Sequence, residues 1–262
     1  MNAVLKPAMH PDEWAARVEL AARTRRGTRQ VQGQLVTAPS PEELDLLLEW
    51  ATGGTKTAGN IDVAESAGVP ARWLRADRDG TVEIYSGVKV GSFTLSASEG
   101  SPLQMSLQLQ GIDEASSTSP TSPTAIDVDA GPYMFQECVL SVDSTQYAFR
   151  QFSLQVDNRL EVKVNNSPTP TAIHSTGCAA QVQLALPLGD ASALYGSAVG
   201  GVAVVATFTN GNYSLAITMA AVQAPKTEKP FGTRGALDLT WNGEVRKTGS
   251  SPFIRFANDS TG

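Results

Sequence analysis

The stretch TVEIYSGVKVGSFTLSASEGSPLQMSLQLQGID, residues 81–113, decides the fold. On both sides of its centre, apolar residues mostly recur at every second position, with Ser, Thr, Lys and Gln between them. This period of two is typical of half-buried antiparallel strands. The segment Ser98–Pro102 supplies a glycine, which takes positive φ freely, and a proline, whose φ is fixed and which has no N–H. The sequence therefore predicts a β-hairpin here.

Similar alternation predicts that most of the remaining chain is also β. Asn210-Gly211-Asn212, between two such segments, is typical of a tight hairpin turn. Asp157-Asn158 supplies another turn. The predicted fold class is mainly β, with further strands at 29–36, near 72–76, and at 133–142, 147–156, 160–164, 180–186, 202–209, 213–222, 235–246 and 253–257.

Three short helices interrupt the strands. The clearest follows Ser40, a good N-cap, and begins with Pro41, which suits the first helical position. Gly53-Gly54 ends this helix. The other two are predicted at Asp12–Arg26 and just after Gly189-Asp190.

Composition along the chain divides it into four parts. Residues 114–124, EASSTSPTSPT, are too polar to bury much surface and predict a linker. The predicted parts are an arm with a short helix (1–28), a first β unit with one helix (29–113), a linker loop (114–131), and a second β unit with one helix (132–262). Both units contain a strand, a helix, a double glycine and a hairpin in that order, which favours internal duplication.

The overall composition excludes several classes of protein. The chain has 262 residues and a formal net charge of −6. It contains no apolar run near the ~20 residues of a membrane-spanning helix. The N-terminus has no apolar core of a secretory signal, so we expect no membrane insertion and assembly in the cytoplasm.

The residues that usually carry chemistry are few and scattered. Cys138 and Cys178 lack metal-site spacing and are expected to be reduced core residues. With only two histidines, His10 in the arm and His174 in a polar turn, a catalytic triad or a metal site is not expected.

Two pairs of carboxylates were weighed as sites. Asp127 and Asp129 lack the further oxygen ligands of a calcium site. No feature of the sequence places Asp157 and Glu161 across a cleft, as a glycosidase would need. Gly87 and Gly91 lie inside predicted strands and indicate a bulge or close backbone approach. The sequence predicts no catalytic residue, no metal and no cofactor.

Positive charge is concentrated at the N-terminus. Residues 1–30 contain six cationic and three acidic side chains, which leaves the remaining chain with an excess of nine negative charges. Such an arm fits nucleic acid or an acidic patch on a neighbouring subunit. Because no nucleic-acid-binding module is recognisable, we favour the second interpretation.

A chain with many strand edges, long polar loops and no chemical site is expected to assemble with itself. One alternative is a carbohydrate-binding or adhesin-type β-sandwich protein of a virion, which needs an exposed aromatic platform. The tryptophans, Trp14, Trp50, Trp73 and Trp241, are scattered, and core packing is expected for them. A hydrolase on a β scaffold is least favoured.

Four stretches together resemble the major tail tube proteins of long-tailed, non-contractile (siphovirus-like) bacteriophages. They are VQGQLVTAPSPEELDLLLEWATGG (31–54), YSGVKVGSFTLSASEGSPLQMSLQLQG (85–111), FSLQVDN (152–158) and WNGEVRKTGSSPFIRFAND (241–259). The arm departs from the family, whose members usually begin with strands.

The resemblance implies a β-sandwich or barrel whose inner strands join those of neighbouring copies around a central lumen. It implies stacked rings that form the tail tube of the virion, the conduit for DNA ejection. The implied partners are other copies of the chain, the tape-measure protein in the lumen, tail terminator and distal tail proteins, and double-stranded DNA in transit. A true duplication predicts three chains in a ring and a single tube domain predicts six, which we slightly favour.

The alternate polar positions in the second strand of the hairpin at 81–113 are the predicted lumen lining. Its members are Gln104, Ser106, Gln108 and Gln110. We expect acidic and neutral polar residues in the lumen and few arginines, because each cationic contact with a phosphate would retard DNA. Contacts between rings are expected from loops 55–70, 114–131 and 224–233.

Overall fold

The structure is a computed structural model that describes residues 30–63, 68–78, 81–117, 126, 128–187, 201–224 and 238–260. Within these ranges the chain forms 16 strands and one α-helix. The mainly β class predicted from the sequence is confirmed. The predicted helices at 12–26 and after Gly189 lie outside the described residues.

The elements follow the chain in this order. They are β1 (Val31–Thr37), α1 (Pro41–Thr52), β2 (Asn60–Val63), β3 (Arg72–Arg78), β4 (Thr81–Ser98), β5 (Gln104–Gly111), β6 (Asp113–Ser117), a 3₁₀ turn (Phe135–Glu137), β7 (Cys138–Val142), β8 (Thr145–Tyr147), β9 (Gln151–Asp157), β10 (Leu160–Lys163), β11 (Ala172–Ser175), β12 (Ala179–Pro187), β13 (Val202–Asn210), β14 (Tyr213–Gln223), β15 (Asp238–Arg246) and β16 (Ile254–Asp259).

The predicted hairpin is confirmed as β4 and β5, and β4 is longer than expected. Its 18 residues span about 60 Å at the usual rise of a strand. The second half of β4 pairs with β5 and β9, whereas the first half pairs with β3 and β6. The register shifts between Val90 and Ser92, which makes Gly91 the extra residue of a bulge. Gly87 has φ +62°, and a side chain there would collide with Ile112.

The strands pack as two facing sheets. The first sheet has the order β1-β5-β4-β9-β12-β15, and the second contains β2-β16-β14-β13-β7-β8. They are joined where β14 pairs with the end of β15. The rings of Phe93 and Phe256 lie 6.4 Å apart, as do those of Phe152 and Phe208, and each pair connects the two sheets. The fold is therefore a β-sandwich whose core includes residues of both predicted β units. The duplication itself stays a prediction.

Helix α1 begins and ends as the sequence predicts. Ser40 Oγ accepts the Glu43 N–H, and the Glu43 carboxylate accepts the Ser40 N–H, which completes a capping box. Gly53, at φ +73°, ends the helix in the left-handed conformation. Trp50 is buried and its Nε1 donates to the carbonyl of Val88, 3.2 Å away, so the helix is fixed against β4.

A buried polar cluster fastens the start of α1 to the last strand. Asn258 is 1% exposed, and its Nδ2 donates to the Pro41 carbonyl at 2.7 Å and to Asp45 Oδ1 at 2.8 Å. The Tyr133 hydroxyl donates to Asn258 Oδ1 at 3.0 Å, and burial raises the pKa of Tyr133. These contacts join residues far apart in sequence, and no local pattern indicates them.

Several predicted segments differ from the structure. Strand β2 lies inside the predicted loop 55–70, and β6 occupies the first residues of the predicted linker 114–131. The predicted strand 133–142 starts with a 3₁₀ turn and is extended only from Cys138. His174 lies in β11 rather than in a turn, although its side chain is exposed as expected. Strand β2 pairs with β16, almost 200 residues later, which local composition does not show. Strand β11 pairs with the nearby β10 in a separate two-stranded sheet.

Candidate functional site

Every second side chain of the first sheet points to one outer face, and most of these side chains are polar. We call this surface the polar face. It includes Gln32, Gln34 and Val36 on β1; Gln104, Ser106, Gln108 and Gln110 on β5; Lys89, Ser92, Thr94, Ser96 and Ser98 on β4; Gln151, Ser153, Gln155 and Asp157 on β9; Ala179, Gln181, Gln183, Ala185 and Pro187 on β12; and Thr240, Asn242, Glu244 and Arg246 on β15.

The strand register aligns these side chains into rows across the sheet, because directly paired residues point to the same side. One row crosses all six strands and runs Val36, Ser106, Thr94, Gln155, Gln181 and Glu244. The next row runs Gln104, Ser96, Ser153, Gln183 and Asn242. Within the face, Gln34 Nε2 donates to Ser106 Oγ at 2.9 Å. The result is a continuous surface of amides and hydroxyls.

The opposite side of the same six strands is the hydrophobic core. A core row, displaced by one residue from the polar rows, runs Met105, Leu95, Leu154, Val182 and Gly243. The four large members of this row are at most 1% exposed. A side chain at Gly243 would collide with Val222 of β14, so the glycine allows the close approach of the two strands. Because a slip of one residue would exchange the faces, the core fixes the polar face.

The charged residues named on the polar face lie toward one end. Lys89, Asp157, Glu244 and Arg246 lie where β4 leaves the sheet and β9 and β15 end. Glu244 and Arg246 form an ion pair of 2.7 Å. Among the members named above, the two acidic and two basic side chains balance, and the others are neutral.

Within the described part of the chain, the polar face includes three depressions. The largest depression, about 520 Å³, lies over β9, β12 and β15 between Gln155, Gln183 and Asn242. A second, about 320 Å³, lies over β4, β5 and β9 beside Gln108 and Asp157. A third of about 90 Å³ lies near Gln104 at the other end. All three have polar linings.

The structure brings the four predicted lining residues together on this face. Gln104 and Gln108 are exposed, whereas Ser106 and Gln110 are half-buried. Their role as a lumen lining stays a prediction. Sequence reasoning did not assign the matching residues of β9, β12 and β15, although QFSLQVD (151–157) and AQVQLAL (180–186) show the same alternation of Gln or Ser with apolar residues.

The described residues contain no cluster of three or more His, Cys, Asp or Glu that could hold a metal ion. Asp127 lies outside them, and the Asp129 N–H donates to Glu42 Oε1 at 3.3 Å. Cys138 and Cys178 are half-buried against the core. Burial raises the pKa of the Cys138 thiol to about 12, so this thiol is a poor nucleophile. Among the helices that are described, none is long and apolar enough to span a bilayer.

The prediction that the tryptophans are core residues is wrong for one of them. Trp50 and Trp241 are buried, but Trp73 on β3 is 76% exposed. In the described part of the chain it is the only aromatic side chain among the exposed large hydrophobic residues. An aromatic platform for a glycan would need several such side chains together. Trp14 lies outside the described residues.

Comparison with known proteins agrees with the resemblance found in the sequence. A sequence model of the family described as phage tail tube protein matches residues 12–245, which is most of the chain. No curated protein sequence matches the chain significantly. The chain therefore belongs to the phage tail tube protein family and is a structural component of the virion.

Proposed function

We propose that copies of this chain close into rings whose central channel is lined by the polar face, and that stacked rings form the conduit for phage DNA. The observation that supports this most is the extent of the polar face. It crosses six neighbouring strands without an apolar patch, on a sheet whose other side is core. The residues predicted from the sequence, Gln104, Ser106, Gln108 and Gln110, supply one strand of this lining.

The electrostatics of the polar face suit a channel that DNA must leave quickly. Lysine and arginine contacts release counterions from DNA and give salt-dependent affinity, which would hold the duplex in place. The centre of the polar face has no charged side chain, and the charges at its end balance. Its amides and hydroxyls can both donate and accept hydrogen bonds, so they bind water as readily as phosphate. We expect the wall to remain hydrated without holding the DNA.

The outermost strands of the first sheet offer the seam between copies. All six strands are antiparallel to their neighbours, so β1 and β15 run in opposite directions. Strand β1 pairs only with β5, and β15 pairs with β14 only at Glu244–Arg246, among the described residues. When β15 of one copy meets β1 of the next, the antiparallel order continues around the ring. Closure removes both open edges.

The seam can be tested by cross-linking. Gln34 on β1 and Asn242 on β15 both lie on the polar face, and the variant Gln34→Cys/Asn242→Cys places a thiol at each edge. With a short bis-maleimide, which spans a wider gap than a disulfide, we expect a ladder of covalent oligomers on a denaturing gel. The ladder should end at the closed ring, and its last band distinguishes three chains from six. The two single variants serve as controls, and a double variant no more cross-linked than they are would contradict this seam.

We expect purified protein to form hollow tubes in electron micrographs, whereas a monodisperse, glycan-binding monomer would favour the adhesin alternative.

The channel lining can be tested by adding charge. In phage, lysine at positions 104, 106, 108 and 110 should slow DNA release, most strongly at low salt, because each added cation binds phosphate. Gln146→Lys, at an exposed position on β8 of the second sheet, is the matched control. Release as fast as in wild type would contradict the assignment of this face to the channel.

The family also supports proposals for the remaining partners. The tape-measure protein would occupy the channel before DNA enters, with terminator and distal tail proteins at the two ends of the tube. Neutral hydrogen-bonding side chains suit successive occupants of different charge, because they neither attract nor repel either one strongly. Assembly in the host cytoplasm is proposed on the same basis.

A further inference from the structure

A lysine and an aspartate meet beside the first half of α1, in the polar cluster that fastens the helix to β16. Lys56 Nζ lies 2.5 Å from Asp45 Oδ2. Because a carbon–oxygen bond adds about 1.2 Å, this nitrogen lies no more than about 3.7 Å from Asp45 Cγ. The two side chains are only 25% and 18% exposed. An amine and a carboxyl carbon are therefore held close together in a largely buried position.

The backbone fixes both partners. Asp45 lies on α1, whose start is held by the capping box. The Lys56 N–H donates to Glu49 Oε1 of the same helix at 2.8 Å. Directly after Lys56, Thr57 and Asn60 exchange two backbone hydrogen bonds of 2.8 and 3.0 Å. Groups oriented in this way within one molecule react as if each were present at a concentration far above any reached in solution.

Two further side chains contact the pair. Asn258 is 1% exposed, and its Nδ2 donates to Asp45 Oδ1 at 2.8 Å. A donor at this oxygen stabilises the negative charge that develops there when an amine adds to the carboxyl carbon. Ser260 Oγ donates to Asp45 Oδ2 at 2.6 Å and accepts from Lys56 Nζ at 2.8 Å. This hydroxyl connects the amine to the second carboxyl oxygen and can relay a proton between them.

We propose that Lys56 and Asp45 condense spontaneously into an isopeptide bond, which links α1 covalently to the turn before β2. First, one proton passes from Nζ through Ser260 Oγ to Oδ2, so that the ion pair becomes an amine and a carboxylic acid. The nitrogen lone pair then forms a bond to Cγ, and the π electrons of the carbonyl move to Oδ1, where Asn258 donates. A second proton passes from the nitrogen to the Oδ2 hydroxyl, the Cγ–Oδ2 bond breaks, and the carbonyl reforms. The products are one amide and one water molecule, and no other reactant is needed.

Burial favours the amide over the ion pair. Two charges taken out of water lose their hydration, and their mutual attraction can fall short of repaying that loss. Condensation removes both charges and leaves a carbonyl oxygen that the Asn258 amide can still bond. The cross-link also restricts the unfolded chain, as a disulfide does. The inference goes beyond the proposed function and does not depend on it, because the reaction takes place within one chain.

Mass spectrometry of the intact, denatured chain tests the inference. We expect wild type to weigh one water molecule less than its sequence requires. Lys56→Arg keeps the positive charge but removes the amine, and should have its full mass. Cleavage after Glu49, which lies between the two residues, locates the change: in wild type the fragments that contain Asp45 and Lys56 should stay joined. A wild-type chain of full mass, or fragments that separate, would overturn the inference.

Ser260→Ala tests the proton relay and keeps both reacting side chains. In protein sampled at intervals after synthesis, the cross-linked fraction should grow at least about tenfold more slowly than in wild type. Ser251→Ala, at an exposed position in the turn before β16, is the matched control and should react at the wild-type rate. An unchanged rate in Ser260→Ala would contradict the relay. A cross-linked chain that forms no tubes would contradict the proposed function alone.

Discussion

The two outward faces of the sandwich follow the same period and differ in chemistry. On the first sheet the outward residues are mostly Gln, Ser and Thr, and many are exposed. On the second sheet one outward row runs Ser141, Val205, Thr218, Arg255 and Asp62, where short side chains adjoin an ion pair of 2.7 Å. Alternation shows only that a strand has two sides. The choice of side chain on the outward side indicates what that side meets.

The comparison also shows why the polar face is more than ordinary surface. Ordinary protein surface intersperses charges of both signs, as the Asp62–Arg255 pair does on the second sheet. Glutamine is about as long as glutamate but carries no charge. Its amide therefore binds water on the first sheet without creating an electrostatic field. Such a surface fits the channel proposed above, through which a polyanion would pass.

The largest expected effect separates the buried side of the first sheet from its polar face, and two neighbouring residues of β15 allow that comparison of stability. Trp241 is completely buried, and Asn242 is exposed on the polar face. Trp241→Ala should lower the free energy of unfolding by about 3–5 kcal/mol because it leaves a cavity in the core. Its Nε1 has no hydrogen-bond partner in the described structure, so the loss is one of packing. Asn242→Ala should change stability by only about 0.5 kcal/mol or less.

Urea denaturation of disassembled protein provides this measurement. Working below the concentration for assembly matters, because association with other copies would add to the apparent stability. An Asn242→Ala variant as unstable as Trp241→Ala would show that the polar face is packed against something within the monomer. The polar face could not then line a channel.

Much of the fold follows from local sequence. The hairpin of β4 and β5 combines strict alternation with turn residues, and α1 has Ser40, Pro41, Glu43 and Gly53 at the positions where caps act. Strand β2 was not predictable in this way. Its four residues pair with β16, almost 200 residues later, and only that pairing makes them a strand. Short segments of this kind are determined by tertiary contacts rather than by propensity.

The candidate site was predictable one strand at a time. Gln104, Ser106, Gln108 and Gln110 are recognisable from alternation, but strand order is needed to show that Gln155 and Gln181 continue the row of Ser106. Trp73 was missed because its size favours burial in general. In the alternating segment RWLRADR, however, only one side of the strand can face the core, and Leu74 and Ala76 occupy that side.

The smallest expected difference between the faces is in their response to pH. Asp62 accepts two bonds from the Arg255 guanidinium, at 2.7 and 2.9 Å, and these hold the pKa of Asp62 below its ordinary value of 3.8. A depressed pKa contributes stability that is present above the ordinary value and lost as the pH falls through the folded-state value. Both side chains are more than 40% exposed, so solvent screening limits the contribution to about 1 kcal/mol or less.

Asp62→Asn should therefore be slightly less stable than wild type at neutral pH, and the gap should close as the pH falls below about 3.8. Urea denaturation between pH 7 and pH 2 measures the gap, and added salt should narrow it at neutral pH. Glu244→Gln is the matched control on the first sheet, where the pair with Arg246 is at least half exposed on both sides. Because two bonds to one guanidinium are stronger than a single exposed contact, we expect the Glu244→Gln gap to be smaller at every pH. A gap for Asp62→Asn that stays constant down to pH 2 would mean that the amide disturbs packing on the second sheet rather than removing a charge.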